Sequence, residues 1–337
     1  MRPFRLRSDL RRAVIDGFAL PLGLVPGDVA APTQGYTVEY APGEEDDPDS
    51  YAFHIVVSHE RLTPILDRVF ARLPRRVFPI VEIGSRDAYR SVDVYMAQEP
   101  IAREQFMRGW RRYGSILVED GSIGVGANSE EPFLEVFLDQ WKGLWMHVPL
   151  AARSRLEAML ESFGLREVPE TWPEMDEQRS LRALRLRNVL TLKDEFSPDL
   201  DELLLQLRYD WDLGLNVDPE TNIDEGGREL GPTLWHATVV VESVDDPDTG
   251  AYASIWATAA SLAEMEELIH DALARYPAWR FTDLYTVDRV AYDERPEELT
   301  ALPPRQRQSK VHLVAFDVWA APSAGDDLRR SVGDHDW

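Results

Sequence analysis

Two stretches of this chain carry nearly the same residues in the same order, and that recurrence limits its fold more than any local motif does. The first reads Asp46-Asp47-Pro48-Asp49-Ser50-Tyr51-Ala52 and the second Asp245-Asp246-Pro247-Asp248-Thr249-Gly250-Ala251-Tyr252-Ala253. A copied segment has to solve one folding problem twice, so both copies are expected to share an architecture. In the first, a strand at 36–40 enters the acidic turn and a strand at 51–57 leaves it. Ser58 then stands as N-cap of a helix whose apolar positions Leu62, Ile65, Leu66, Val69 and Phe70 fall at helical spacing. In the second, strands at 234–241 and 252–258 precede Ser261 and a helix carrying Leu262, Met265, Leu268, Ile269 and Leu273.

The likeness continues beyond the helices. Arg86, Ala88 and Tyr89 match Arg289, Ala291 and Tyr292, and Asp93-Val94-Tyr95 matches Asp317-Val318-Trp319. Upstream, Leu22-Gly23-Leu24-Val25 matches Leu213-Gly214-Leu215-Asn216. Each of these follows a helix-like run, at 9–17 or at 198–208 after Ser197, and each helix follows a short strand, at 4–7 or 189–193. The middle of the chain reads as a degenerate third copy. It has a strand at 91–96, a helix at 100–112 with Pro100 at its first position, and a hairpin turning at Asp120-Gly121 between 115–119 and 122–126. A second hairpin turns at Lys142-Gly143 between 133–141 and 144–148, and a helix at 149–163 is closed by Gly164.

The order of elements indicates an α+β protein built of tandem ferredoxin-like (βαββαβ-type) units, with antiparallel sheets and helices on one face. The expected divisions are 1–97, 98–180 and 186–321, the last with a Pro-rich insertion at 295–310. A mobile tail at 322–337 follows, and 168–179 and 218–232 read as linkers.

Charge narrows the partners. The 337 residues hold 60 acidic against 36 basic side chains, a net charge of −24. Such a surface repels phosphates and anionic lipid, so neither nucleic acid nor membrane is an expected partner, whereas a basic protein is. Lys142, Lys193 and Lys310 are the only lysines, the arginine bias of a GC-rich bacterial genome. No apolar run approaches the ~20 residues that span a bilayer. The basic start of the chain is broken by Asp9 and Asp16, which argues against an export signal. With no cysteine there is no disulfide, thiolate metal site or cysteine nucleophile, and a cytoplasmic location is expected.

Candidate chemistry is sparse, and no cofactor is implied. The acidic turns offer Asp46, Asp47 and Asp49, or Asp245, Asp246 and Asp248, as oxygen ligands for a hard cation. The loop from Asp218 places oxygens of Asp218, Glu220, Asn222, Asp224 and Glu229 at calcium-loop spacing, but Ile223 stands where such a loop needs glycine. His54, His59, His147, His236 and His312 show no paired zinc spacing. Asp93 and Asp317 are carboxylates in strands, where Asp is depleted, and they could face each other in a cleft where copies meet, with His54, His312, Tyr95 and Trp319 nearby. Gly121-x-x-Gly124-x-Gly126 does not open a helix, so it is read as a hairpin and not as a phosphate cradle. Trp110, Trp141 and Trp145 are candidates for a partner-binding patch, with Phe133, Phe137 and Trp141 on one strand face. The leading expectation is a non-enzymatic adaptor that engages a basic partner, as an immunity or assembly factor does. The alternative is an enzyme or small-molecule binder.

Overall fold

A computed structural model describes residues 4–43, 48–172, 184–192, 197–246, 248–303 and 308–320. The tail at 322–337, most of the expected linker at 168–179, and Asp46 and Asp47 lie outside the described residues. The chain forms two compact units: residues 1–84 with 92–216, and residues 85–91 with 217–337. It is a mixed α/β protein with antiparallel sheets and, among the described residues, five α-helices.

Unit 1 runs β1 (Val14–Ile15), β2 (Phe18–Ala19), β3 (Leu24–Pro26), β4 (Gly35–Ala41), β5 (Ser50–Val56), α1 (His59–Phe70), β6 (Arg76–Gly84) and β7 (Val92–Ala97). It continues through β8 (Ile101–Ala102), α2 (Arg103–Leu117), β9 (Ile123–Ser129), β10 (Leu134–Leu138), β11 (Leu144–Pro149), α3 (Arg153–Ser162), β12 (Leu184–Leu186), α4 (Leu200–Trp211) and β13 (Leu213–Leu215). Its main sheet has nine strands, eight of them in the order β13-β7-β6-β9-β10-β11-β5-β4, with β8 beside β6. Strict alternation gives that sheet one apolar face: Phe53 and Ile55, Val81, Val125 and Ala127, Val136 and Leu138, and Leu144 and Met146 are all buried. The four helices among the unit's described residues pack on that face, through Leu66 and Phe70, Phe106 and Trp110, Leu156 and Leu160, and Leu207 and Trp211.

Several expectations change here. The run at 9–17 is no helix: Asp16 and Gly17 have φ of 47° and 85° and turn the tight hairpin β1–β2. An Asp-Gly pair with both residues left-handed is the two-residue hairpin loop, so the signal read at Asp120-Gly121 belongs at Asp16-Gly17. At 115–119 the chain is still finishing α2, which starts later than Pro100 and runs longer than expected because Tyr113, Ile116 and Leu117 extend its buried stripe. The segments at 4–7 and 189–193 are joined to each other by a bridge at Leu6 and Leu190. Ser58 precedes α1 without capping it; its hydroxyl donates to Glu60 and accepts from Ala19 N. The division at 97/98 is also absent, since β9, β10 and β11 lie inside the same sheet as β4 to β7.

Unit 2 comprises β14 (Thr233–Ser243), β15 (Thr249–Ala259), α5 (Leu262–Leu273), β16 (Trp279–Val290) and β17 (Lys310–Ala320), in sheet order β16-β14-β15-β17. Here Ser261 does cap its helix, accepting from Glu264 N. Met265, Ile269 and Leu273 pack on Ala237, Val239, Ala253 and Ile255. The succession ββαββ therefore occurs in both units, and so does the first hairpin, β4–β5 or β14–β15. The remaining pairing differs: β6 pairs β7, whereas β16 and β17 flank their hairpin on opposite sides.

Two buried ionic hubs pin the irregular segments. In unit 1, Glu119 accepts from Arg12 Nη2 at 2.5 Å, Arg12 Nη1 at 2.9 Å, Leu22 N at 2.7 Å and His59 Nε2 at 3.1 Å. Burial alone would raise this carboxyl, but the donors outweigh it and hold it at about 2. In unit 2, Asp87 accepts from Arg289 Nε at 2.8 Å, Arg289 N at 2.9 Å and Tyr89 N at 2.9 Å. Arg289 Nη1 then donates to Asn222 Oδ1 at 2.9 Å and Ile223 O at 2.7 Å.

Glu119 is ordinary in the unfolded chain, so its stabilisation is complete above the usual glutamate value and is lost as pH falls toward about 2. We expect Glu119→Gln to lower stability at pH 7 by on the order of 3 kcal/mol and to flatten the acid limb between pH 5 and 2, measured by urea denaturation against pH; an unchanged limb would refute this assignment. For the second hub, Asp87→Leu leaves a buried unpaired guanidinium and should cost ~3–5 kcal/mol. The double variant Asp87→Leu/Arg289→Leu should recover part of that loss, read from the unfolding midpoint.

Candidate functional site

The face of the nine-stranded sheet opposite the helices carries its side chains in rows fixed by register. Met96, Ile80, Gly126, Phe137, Trp145 and His54 are successive cross-strand partners on β7, β6, β9, β10, β11 and β5. Two residues along in one direction lie Asn128, Glu135 and His147, and two residues along in the other lie Val94, Glu82 and Gly124. An apolar and aromatic row is thus flanked by a polar row on one side and by Glu82 on the other.

The centre of the surface is a recess of about 320 Å³. Its floor exists because β9 has no side chains there: a Cβ on Gly124 would lie 2.5 Å from Phe137 Cζ, and one on Gly126 would lie 2.8 Å from Phe137 Cδ2. The Phe137 ring lies against bare backbone, which is what the Gly-x-Gly spacing of β9 is for. Trp145, 39% exposed, forms one wall. Its indole stacks on His54 at 4.0 Å and 9°, and its Nε1 donates to Asp139 Oδ2 at 2.9 Å. Asp139 is held in turn by Gly143 N at 2.8 Å, and His54 Nδ1 by Thr171 Oγ1 at 2.9 Å. Burial pushes His54 down against the pull of Asp139, and its Nε2 has no hydrogen-bond partner among the described residues. His54 is therefore a neutral stacking plate behind Trp145.

The polar lining of the recess comprises two carboxylates, Glu82 and Glu135, with Asn128, His147 and Asn216. Glu82 is half-buried; burial, with the negative charge of Asp139 second, pushes its carboxyl up. No hydrogen bond or ion pair relieves it among the described residues. Glu135 Oε2 lies 3.8 Å from His147 Nδ1. A desolvated carboxylate beside aromatic faces is suited to a cation, which restores lost charge stabilisation and gains from the ring faces.

Of the residues singled out from sequence, His54, Phe137, Trp145 and His147 come together here. Asp93 and Tyr95 lie on the opposite, helix-covered face, where Asp93 is buried and Arg208 stacks over Tyr95 at 5.6 Å. Asp317, His312 and Trp319 belong to unit 2, and Asp317 is exposed, so the two strand carboxylates are not equivalent. His312 Nε2 pairs with Thr258 Oγ1 at 2.7 Å. Trp110 is core, donating to Asp67 Oδ1 at 2.8 Å, because it falls on the buried stripe of α2. Trp141 packs edge-on against Trp172.

Four carboxylates of the acidic loops, those of Asp49, Asp218, Asp224 and Asp246, are spent internally. Asp49 accepts from Gly43 N and Tyr40 OH, and Asp246 from Asp248 N and Thr249 Oγ1. Asp245 N donates to Ser243 Oγ. Asp218 accepts from Glu220 N, Asp224 from Gly226 N and Arg228 N, and Asn222 is buried against Arg289 and Thr233. Glu229 sits in a bridge with Ile223, and the chain between them turns at left-handed Gly227, four residues after the position where a calcium loop needs its glycine. Among the described residues, no three His, Cys, Asp or Glu side chains gather to hold a metal ion. Glu82, Asn128 and Glu135 are the residues that sequence reading missed; only their alternation with buried neighbours along β6, β9 and β10 marks them.

Comparison with family models, curated proteins and solved structures finds no match for this chain.

Proposed function

We propose that this chain is a non-enzymatic binding protein of the immunity- or assembly-factor kind. It docks a basic protein partner by taking cationic side chains into the recess of unit 1. The observation that carries the reading is Glu82: a half-buried carboxylate with no hydrogen-bond or ion-pair partner among the described residues, in the recess that the Phe137 and Trp145 rings also line. A net charge of −24 supports it by steering a basic partner toward the surface. In this reading the protein works in the cytoplasm, and the shared ββαββ succession is the trace of an ancestral ferredoxin-like duplication. A small-molecule binder is the second reading, favoured by the volume of about 320 Å³, which lies at the low end of ligand pockets. An enzyme built on Asp93, Asp317, His54 and His312 draws no support from the recess, because none of the four lines it.

A lysate pull-down on immobilised protein should recover a basic partner, and Glu82→Gln should weaken the purified complex about tenfold, the scale of one charge-assisted contact. A cation binds the ionised carboxylate, so affinity should rise with pH through a range above the usual glutamate value and then level off. Glu135, His147 and Asp139 titrate in the same neighbourhood, so the difference between wild type and Glu82→Gln isolates Glu82. Partner capture unaffected by Glu82→Gln, with no difference in pH profile, would refute this docking site.

A further inference from the structure

The two carboxylates of the recess are not neighbours. Glu82 pairs with Gly124 and Glu135 pairs with Asn128, so they sit on opposite sides of β9 and four residues apart along it. Strand geometry makes that ~14 Å along the strands and ~10 Å across them, or ~17 Å on the diagonal between Cα atoms. One ammonium or guanidinium group cannot serve both. Between them lies the apolar row, with Ile80 and Phe137 against the glycine backbone and Trp145 beside them. Acid, apolar strip, acid is therefore the order met along the diagonal.

We infer that the recess reads an extended segment of the basic partner in which two Arg or Lys residues stand four apart, with an apolar residue midway between them. This rests on the docking reading above. In an extended chain, residues i, i+2 and i+4 point to one side, and the outer two have Cα atoms ~14 Å apart. The flexible stems of Arg and Lys make up the remaining offset, and the middle side chain lands on the Phe137–Trp145 strip. A helix does not reproduce the pattern, because its i and i+4 side chains are only ~5–6 Å apart. A volume of about 320 Å³ takes side chains and not a packed secondary element.

The test uses the full chain and two blocked peptides of one composition, Arg-Ser-Leu-Ser-Arg and Ser-Arg-Leu-Arg-Ser, titrated by calorimetry alongside N-acetylarginine amide and spermine. The wide-spaced peptide should bind about tenfold more tightly than its isomer, the worth of one added charge-assisted contact. Glu82→Gln and Glu135→Gln should each abolish that preference while leaving the circular dichroism spectrum and melting temperature intact. If both peptides bind equally and Glu82→Gln weakens both, the four-residue spacing is overturned and the docking reading stands. If neither peptide nor N-acetylarginine amide binds, both fall. Spermine binding more tightly than the wide-spaced peptide would also overturn the inference, by pointing to a free polyamine as occupant.

Discussion

One-sided burial governs unit 1. The four helices among its described residues cover the same face of a broad antiparallel sheet, so the strands must present large apolar residues to that face and find another use for the opposite one. An antiparallel sheet can leave a face to water, but the middle of a nine-stranded sheet is far from its edges. The solution at β9 is to remove side chains: glycines at two successive outward positions let Phe137 of the neighbouring strand lie flat on the backbone. That contact replaces two exposed side chains with one ring and leaves a depression around it. Asn128, at the next outward position of β9, and Glu135, its partner on β10, rim the depression because the pleat leaves them no other direction.

The ionic hubs belong to a different problem. Residues 7–31 contain little regular structure, and 217–232 almost none, so their polar backbone needs partners that no ladder supplies. Glu119 takes two arginine contacts, a backbone amide and a histidine onto one carboxylate. Asp87 and Arg289 do the same for the 218–229 loop through Asn222 and Ile223. Lys142 is a third case, left-handed in backbone and buried, with its ammonium on the Ile123 carbonyl; burial outweighs Asp120, Asp139 and Glu119 and brings it down to about 8. Buried charges of this kind are costly to strip singly and need not be net stabilising as pairs. Their work is to fix which loop goes where.

Sequence pattern was sufficient where local periodicity and tertiary burial agree. The hairpin at Lys142-Gly143, the buried stripes of α1 and α5 and the left-handed Gly164 were all legible for that reason. It failed where two local signals compete. Asp9–Gly17 carries apolar residues at a spacing that fits a helix, yet Asp16-Gly17 is a stronger hairpin signal than the periodicity of so short a run. The recess was invisible for a further reason. Glu82, Asn128 and Glu135 come from three strands, and each alone is an ordinary outward polar residue; only register, which no single strand encodes, makes them a group. The Asp93–Asp317 match misled because identity in sequence does not fix environment, and one of the pair is buried while the other is exposed.

The same succession of elements closes differently in the two units, and the difference accounts for where the recess lies. In unit 2 the chain leaves β15 through α5 and returns as β16 beside β14, a crossover that skips one strand. In unit 1 the corresponding crossover leaves β5 through α1 and returns as β6 with β11, β10 and β9 in between. Those three strands supply the glycine floor, Phe137, Trp145, Asn128, Glu135 and His147, while β6 and β7 supply Glu82, Ile80, Val94 and Met96. The recess is thus made where the β9–β10–β11 meander meets β6 and β7. Asn128, Glu135, Phe137, Trp145 and His147 lie on strands outside the two ββαββ runs, so a search for function among matched positions of those runs would have missed them.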